Sequence, residues 1–93
     1  MNWSEVIMVR SAGSNAEILA KTVQDLMADV ARSAGNDDVR VFCRENLETD
    51  ICIVLSHSGK KAQTGGSPLG LRIASAFKEI GLVHHTIWNE VDR

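Results

Sequence analysis

Two stretches with apolar residues at helical spacing, each bracketed by short runs of strand formers, constrain this 93-residue chain more than any other feature. Glu5 to Arg10 reads EVIMVR, an apolar run of strand length. Ser14-Asn15-Ala16-Glu17 has the S-x-x-E spacing of a capping box, which predicts Ser14 as N-cap and Glu17 at the third helical position. Ile18, Leu19, Val23, Leu26, Met27 and Val30 then recur along one helical face, with Lys21, Gln24, Asp25 and Asp29 on the other. Gly35 supplies the stop. The second helix follows Gly65-Gly66, with Ser67 as N-cap and Pro68 as the first helical residue, where its missing N–H costs nothing. Its predicted buried stripe is Leu69, Ile73, Ala76, Phe77 and Ile80, and Gly81 followed by Leu82 predicts a Schellman-type end.

Between the helices lie two β-branched stretches, Val39 to Glu45 and Asp50 to His57. The short polar joint Asn46 to Thr49 predicts an antiparallel hairpin. Leu82 to Val91 is rich in strand formers and closes the chain. The order strand, helix, strand, strand, helix, strand predicts an α+β, ferredoxin-like domain over residues 1–93: a four-stranded antiparallel sheet with both helices on one face.

Charge and composition narrow the partners. Ten basic residues against twelve acidic give a net charge of −2, so no global field attracts nucleic acid or an anionic membrane. An RNA-binding version of this element order stacks bases on strand aromatics, and EVIMVR and DICIVLSH contain none. A metal-chaperone version needs paired cysteines after the first strand, where this chain has Ser11-Ala12-Gly13-Ser14. No apolar run approaches bilayer length, and Met1 to Arg10 lacks the layout of a secretory signal. Two cysteines, Cys43 and Cys52, are too few for a disulfide scaffold and lack zinc spacing. A cytoplasmic protein with no nucleic-acid or membrane partner is the expectation.

Period-two alternation shows what each sheet face carries. With Cys43 opposite Cys52, one face collects Val39, Val41, Cys43, Cys52 and Val54, and the other Phe42, Ile51, Ile53 and Leu55, flanked by Arg40, Arg44 and His57. In the first strand Val6 and Met8 alternate with Ile7 and Val9. Both faces are apolar, whereas an antiparallel sheet with one wet face alternates cleanly. Two helices cover one side only, and a second copy packed sheet to sheet is the simplest cover for the other. The expected partner is therefore the chain itself, as a homodimer through the sheet face.

Leu47 to Leu55, Gly70-Leu71-Arg72 and the closing Gly81-Leu82-Val83-His84-His85-Thr86-Ile87-Trp88 look similar to small bacterial proteins of the dimeric α/β-barrel superfamily, the antibiotic biosynthesis monooxygenase-like proteins. The resemblance spans nearly the whole chain and rests on element order, size and the two-sided sheet, without a catalytic motif. It implies a homodimer with a pocket between sheet and helices in each subunit. Members include cofactor-free oxygenases, haem-degrading enzymes and ring-modifying enzymes, and fold alone does not choose among them.

The polar residues give the candidate site. His84 and His85 are strand neighbours and face opposite sides, so they do not share one metal. His84 shares its face with Thr86 and Trp88, a combination suited to a small apolar or aromatic ligand. His57 ends the third strand, and Arg10, Arg40 and Arg44 fall at the rim of the sheet. The candidate ligand-binding residues are His84, Trp88, His57 and Arg44, with no metal assigned and no cofactor singled out. An axial haem ligand would have to come from His57, His84 or His85. Ser56-His57 makes no catalytic dyad by adjacency, and no G-x-S-x-G elbow supports a hydrolase. Ser58 to Ser67, with two lysines and two glycines before a helix N-terminus, lacks the Walker spacing and reads as a surface connection. A small-molecule binder, a cofactor-free oxygenase or haem-degrading enzyme, and a ligand-sensing or interaction module are the three readings.

Overall fold

Asn2–Ser11 forms strand β1 at the interior of the sheet in the computed structural model, which describes residues 2–32, 38–58 and 65–91. A 3-10 turn at Gly13–Asn15 leads into helix α1, Ala16–Arg32. Strands β2, Asp38–Arg44, and β3, Leu47–Ser58, form a hairpin. Helix α2, Pro68–Lys78, and strand β4, Gly81–Asn89, complete the chain. The sheet order is β2-β3-β1-β4, antiparallel throughout. This is the ferredoxin-like α+β arrangement that the element order predicts.

Alternation along β1 decides which side is core. Trp3, Glu5, Ile7, Val9 and Ser11 are buried, whereas Met8 and Arg10 are exposed. Ile7 and Val9 join Ile51, Ile53 and Leu55 of β3, Leu19 of α1, and Ile73, Ala74 and Phe77 of α2 in one core. Both helices thus pack on the same sheet face. Burial of a side chain such as Phe77 or Ile53 is worth about 1.5–3 kcal/mol.

Several local expectations change. Helix α1 is approached through the 3-10 turn, so Ser14 lies inside that turn and not at an N-cap before Ala16. Asn15 takes the tethering role, its Nδ2 donating to the Ile80 carbonyl at 3.0 Å. On α1 the inward face is Leu19, Val23 and Leu26, while Ile18 and Met27 are exposed. On α2, Ala74 is buried and Ala76 is exposed. Gly81 does not end α2 in a left-handed cap; it opens β4 opposite Ser11, where a Cβ would run into the Arg10 carbonyl. The stop at Gly35 and residues 59–64 of the second connection lie outside the described residues.

The hairpin register is the consequential correction. The turn is Glu45-Asn46, with Asn46 in the left-handed region at φ 62°, so β3 begins at Leu47 and not at Asp50. An irregularity between Cys43 and Arg44 then sets Cys43 opposite Ile51, not Cys52. Val39, Val41 and Cys43 therefore share the helix side with Ile51, Ile53, Leu55 and His57. Phe42, Arg44, Cys52 and Val54 turn to the open side. Cys43 and Cys52 are free thiols on opposite faces, with Cys43 exposed and not part of the core. Arg44 and His57, expected on one face, are separated by the sheet. No helix among the described residues is long and apolar enough to cross a membrane.

Candidate functional site

Glu5 has no solvent exposure at all, although it sits on an interior strand among the core residues Trp3, Ile7 and Val9. Such burial is tolerable only if the charge is met by donors. Register supplies them: Trp3 pairs with His57 on β3 and Ile7 pairs with His85 on β4, so the two imidazoles flank Glu5 diagonally. His57 Nε2 lies 2.7 Å from Glu5 Oε2, and His85 Nε2 lies 2.8 Å from Glu5 Oε1. The N-terminus of α2 closes the ring from above. The Ser67 N–H donates to Oε1 at 2.9 Å, and the Ser67 hydroxyl donates to Oε2. Because an ionised carboxylate only accepts, both rings carry their proton on Nε2.

Each part of the surround has a reason. Ser67 caps α2, its Oγ accepting from the Gly70 N–H at 3.0 Å, so one hydroxyl ties the helix to the sheet. Gly66 adopts φ +101°, and a side chain there would strike both the Glu5 carboxylate and the His85 ring. Trp3 stacks on His57 with ring centroids 4.0 Å apart and planes inclined by 22°. Burial pushes the Glu5 carboxyl up, but hydrogen bonds from the Ser67 hydroxyl and N–H, His57 and His85 outweigh it and hold the group below its ordinary value. The cluster is a satisfied anion site whose anion belongs to the chain. Among the described residues, no group of three or more His, Cys, Asp and Glu side chains is arranged to hold a metal ion.

Replacing Ser67 with Ala removes the cap and one donor to Glu5 together. The expected cost is about 1–2 kcal/mol, read as a lower Tm, with Ser67→Thr recovering most of it. An unchanged Tm in Ser67→Ala would contradict the tie between α2 and the sheet.

The open face carries the second arrangement. Met8, Phe42, Leu82 and Trp88 are exposed by 54%, 52%, 70% and 62%. At one end of the face, Met8, Phe42, Cys52, Leu82 and His84 wall a groove of about 430 Å³, with Arg10, Arg44 and Asp50 beside it. Arg10 Nε and Arg44 Nη1 lie 3.4 and 3.5 Å from the same oxygen, Asp50 Oδ2. Burial pushes the Cys52 thiol up, so it stays a neutral wall residue. At the other end, Asn2, Ser4, Ser56, Ser58 and Trp88 line a more open, polar cleft. Between the two, Trp88 Nε1 donates to Thr86 Oγ1 at 2.9 Å.

The four candidate residues are thus divided. Arg44 and His84 meet in the apolar groove. Trp88 stands at the polar end of the same face, and the His57 side chain is on the helix side with Glu5. Glu5 and Ser67 are absent from the sequence-derived candidates, and His85 stands there only as a possible axial haem ligand. One signal for Glu5 was legible: it shares parity with Trp3, Ile7 and Val9, so it is an acid at a core position.

Taken together, fold and site define a ferredoxin-like α+β protein with a covered, polar-centred face and an open, apolar one. No protein-family model matches the sequence, and no curated protein matches it. The fold is similar to that in the solved structure of Rv0793 from Mycobacterium tuberculosis, with a TM-score of 0.71 over 100% of this chain and 98% of that one. Identity to Rv0793 is 11%, so the likeness is one of fold.

Proposed function

We propose that the protein is a cytoplasmic homodimer of the dimeric α/β-barrel superfamily, the monooxygenase-like proteins, packed sheet to sheet, and that it binds a small apolar or aromatic molecule in the groove beside His84. The observation that carries this reading is the open sheet face, with Met8, Phe42, Leu82 and Trp88 each more than half exposed. Large apolar side chains contiguous on one sheet face are what soluble chains reserve for a partner or ligand. A second copy presents the same face, so the match is self-complementary about a two-fold axis. A volume of about 430 Å³ falls in the range of small-molecule sites. Two free cysteines suit a reducing compartment.

Native mass spectrometry at low micromolar concentration is the test. The expected spectrum is a dimer, with Val6→Glu shifted to monomer because it sets a carboxylate in the middle of the open face, between Val54 and Thr86. A wild-type monomer overturns the dimer. The second reading, a cofactor-free oxygenase or haem-degrading enzyme, is favoured by the placement of His84 in the groove wall. Oxygen-dependent turnover of a quinol, or a Soret shift on haem titration, lost in His84→Ala and retained in His57→Ala, would support it.

A further inference from the structure

The apolar groove has a charge that its size does not explain. Its walls are Met8, Phe42, Leu82 and Cys52, which take an apolar body. Its formally charged side chains are two guanidiniums, Arg10 and Arg44, and one carboxylate, Asp50. Both arginines approach the same Asp50 oxygen, at 3.4 and 3.5 Å, distances too long for the strong bidentate pairing a guanidinium makes with a dedicated partner. The Arg10 and Arg44 side chains are 68% and 60% exposed, whereas that of Asp50 is 15% exposed. One carboxylate therefore orients two cations and neutralises one. The third arginine of this face, Arg40, pairs with Asp38 at 3.3 Å.

We infer that the groove takes an amphipathic monoanion: an aromatic or aliphatic carboxylate or sulfonate. Its apolar body lies against Met8, Phe42 and Leu82, and its head group lies between Arg10 and Arg44. This rests on the proposed ligand-binding role of the groove and names the class of molecule that fits it. Arginine is suited to this task because its planar fork presents several N–H donors, so the edges not turned to Asp50 remain to meet a second anion. A neutral ligand of the same shape leaves the surplus cation solvated and gains only the apolar contact. A dianion leaves one negative charge uncompensated beside Asp50. The monoanion is the class that balances the charges.

Two fluorescent naphthalene probes separate the contributions. 1-Anilinonaphthalene-8-sulfonate carries one sulfonate, and N-phenyl-1-naphthylamine is its neutral counterpart. Titrated into the folded wild-type protein at low salt, the anionic probe is expected to bind roughly tenfold more tightly than the neutral one, the scale of one charge-assisted contact. In Arg10→Gln/Arg44→Gln that advantage disappears, while binding of the neutral probe changes by less than roughly twofold. Arg44→Gln alone serves if the double variant does not fold. Equal binding of the two probes by the wild type, or an advantage that survives loss of both arginines, overturns the anionic class and leaves the groove as a site for neutral apolar molecules. Exclusion of both probes from the folded wild type overturns the ligand-binding reading with it and assigns the face to the second copy alone.

Discussion

Glu5→Leu is expected to cost about 3–5 kcal/mol of unfolding free energy, the scale seen when one member of a buried charged network is removed. For a domain whose total stability is on the order of 5–15 kcal/mol, such a loss leaves it near the folding threshold. The cause is not the missing carboxylate itself but what it leaves behind. The Ser67 N–H and hydroxyl and the two imidazole Nε2–H groups all aim at the Glu5 oxygens, and an isobutyl group accepts from none of them. Glu5→Gln is milder, about 1–3 kcal/mol, because one imidazole can change tautomer and accept from the new amide. Urea denaturation at several pH values separates shape from charge. Folding holds the Glu5 carboxyl below its ordinary value, so its contribution is fully present above that ordinary value and is lost as pH falls through the lower, folded one. The gap between wild type and Glu5→Gln should therefore be constant near neutrality and shrink below about pH 4.5. A gap that persists undiminished to pH 3 would mean that folding does not lower the Glu5 carboxyl and that the four donors do not favour its charged form.

How far this could be read from sequence depended on whether the signal was local. Ser67-Pro68 opens α2 as predicted, because an N-cap hydroxyl and a proline at the first helical position act within one turn. The order of elements follows from periodicity, and the sheet topology follows from that order. Register failed at a single turn. A four-residue joint at Asn46 to Thr49 was the simpler reading, but Asn46 tolerates a positive φ and allows a two-residue turn, and the irregularity at Cys43 and Arg44 then slides β3 against β2. A one-residue change of register moves every side chain to the other face. Phe42 and Cys52 thereby became open-side residues and Ile51, Ile53 and Leu55 joined the helix side. The conclusion that both faces are apolar survived, because Val54 and Phe42 replace one apolar set with another.

The buried cluster was out of reach for a different reason. Its members stand at 5, 57, 67 and 85, and only the sheet register and the landing point of α2 bring them together. His57 looked like a strand end and His85 like one half of a pair whose other half, His84, faces the groove. Nothing in the spacing of three histidines selects the two that share an acid. The two sheet faces consequently carry different chemistry. The covered face holds a saturated anion that ties β1, β3, β4 and α2 together, and the open face holds exposed apolar groups with unbalanced positive charge. Rigidity on the first keeps the strands that shape the second in register.

Gly70→Ala tests that rigidity most sharply, because its sign runs against helix propensity. Within an ordinary helix Ala is favoured over Gly by roughly 0.5–1 kcal/mol. Gly70 lies in α2 directly over Glu5, where a Cβ would meet Oε1, with the carboxyl carbon at 2.7 Å and Oε2 at 2.9 Å. A loose glutamate would swing aside at little cost. This one is held by four donors, so relieving the collision means breaking hydrogen bonds or lifting the helix from the sheet. The expected loss is about 2–4 kcal/mol. Gly13→Ala, in the 3-10 turn with nothing within 4 Å of the new methyl, should change stability by no more than about 0.5 kcal/mol. The decisive comparison is the double-mutant cycle. In a Glu5→Ala background the methyl at position 70 has room, so the two losses should fall short of additivity by about 1–3 kcal/mol. Additive losses would place the cost of the methyl in the helix backbone and remove the carboxylate from the explanation. A shortfall of the expected size would show that Gly70 is required because Glu5 cannot move.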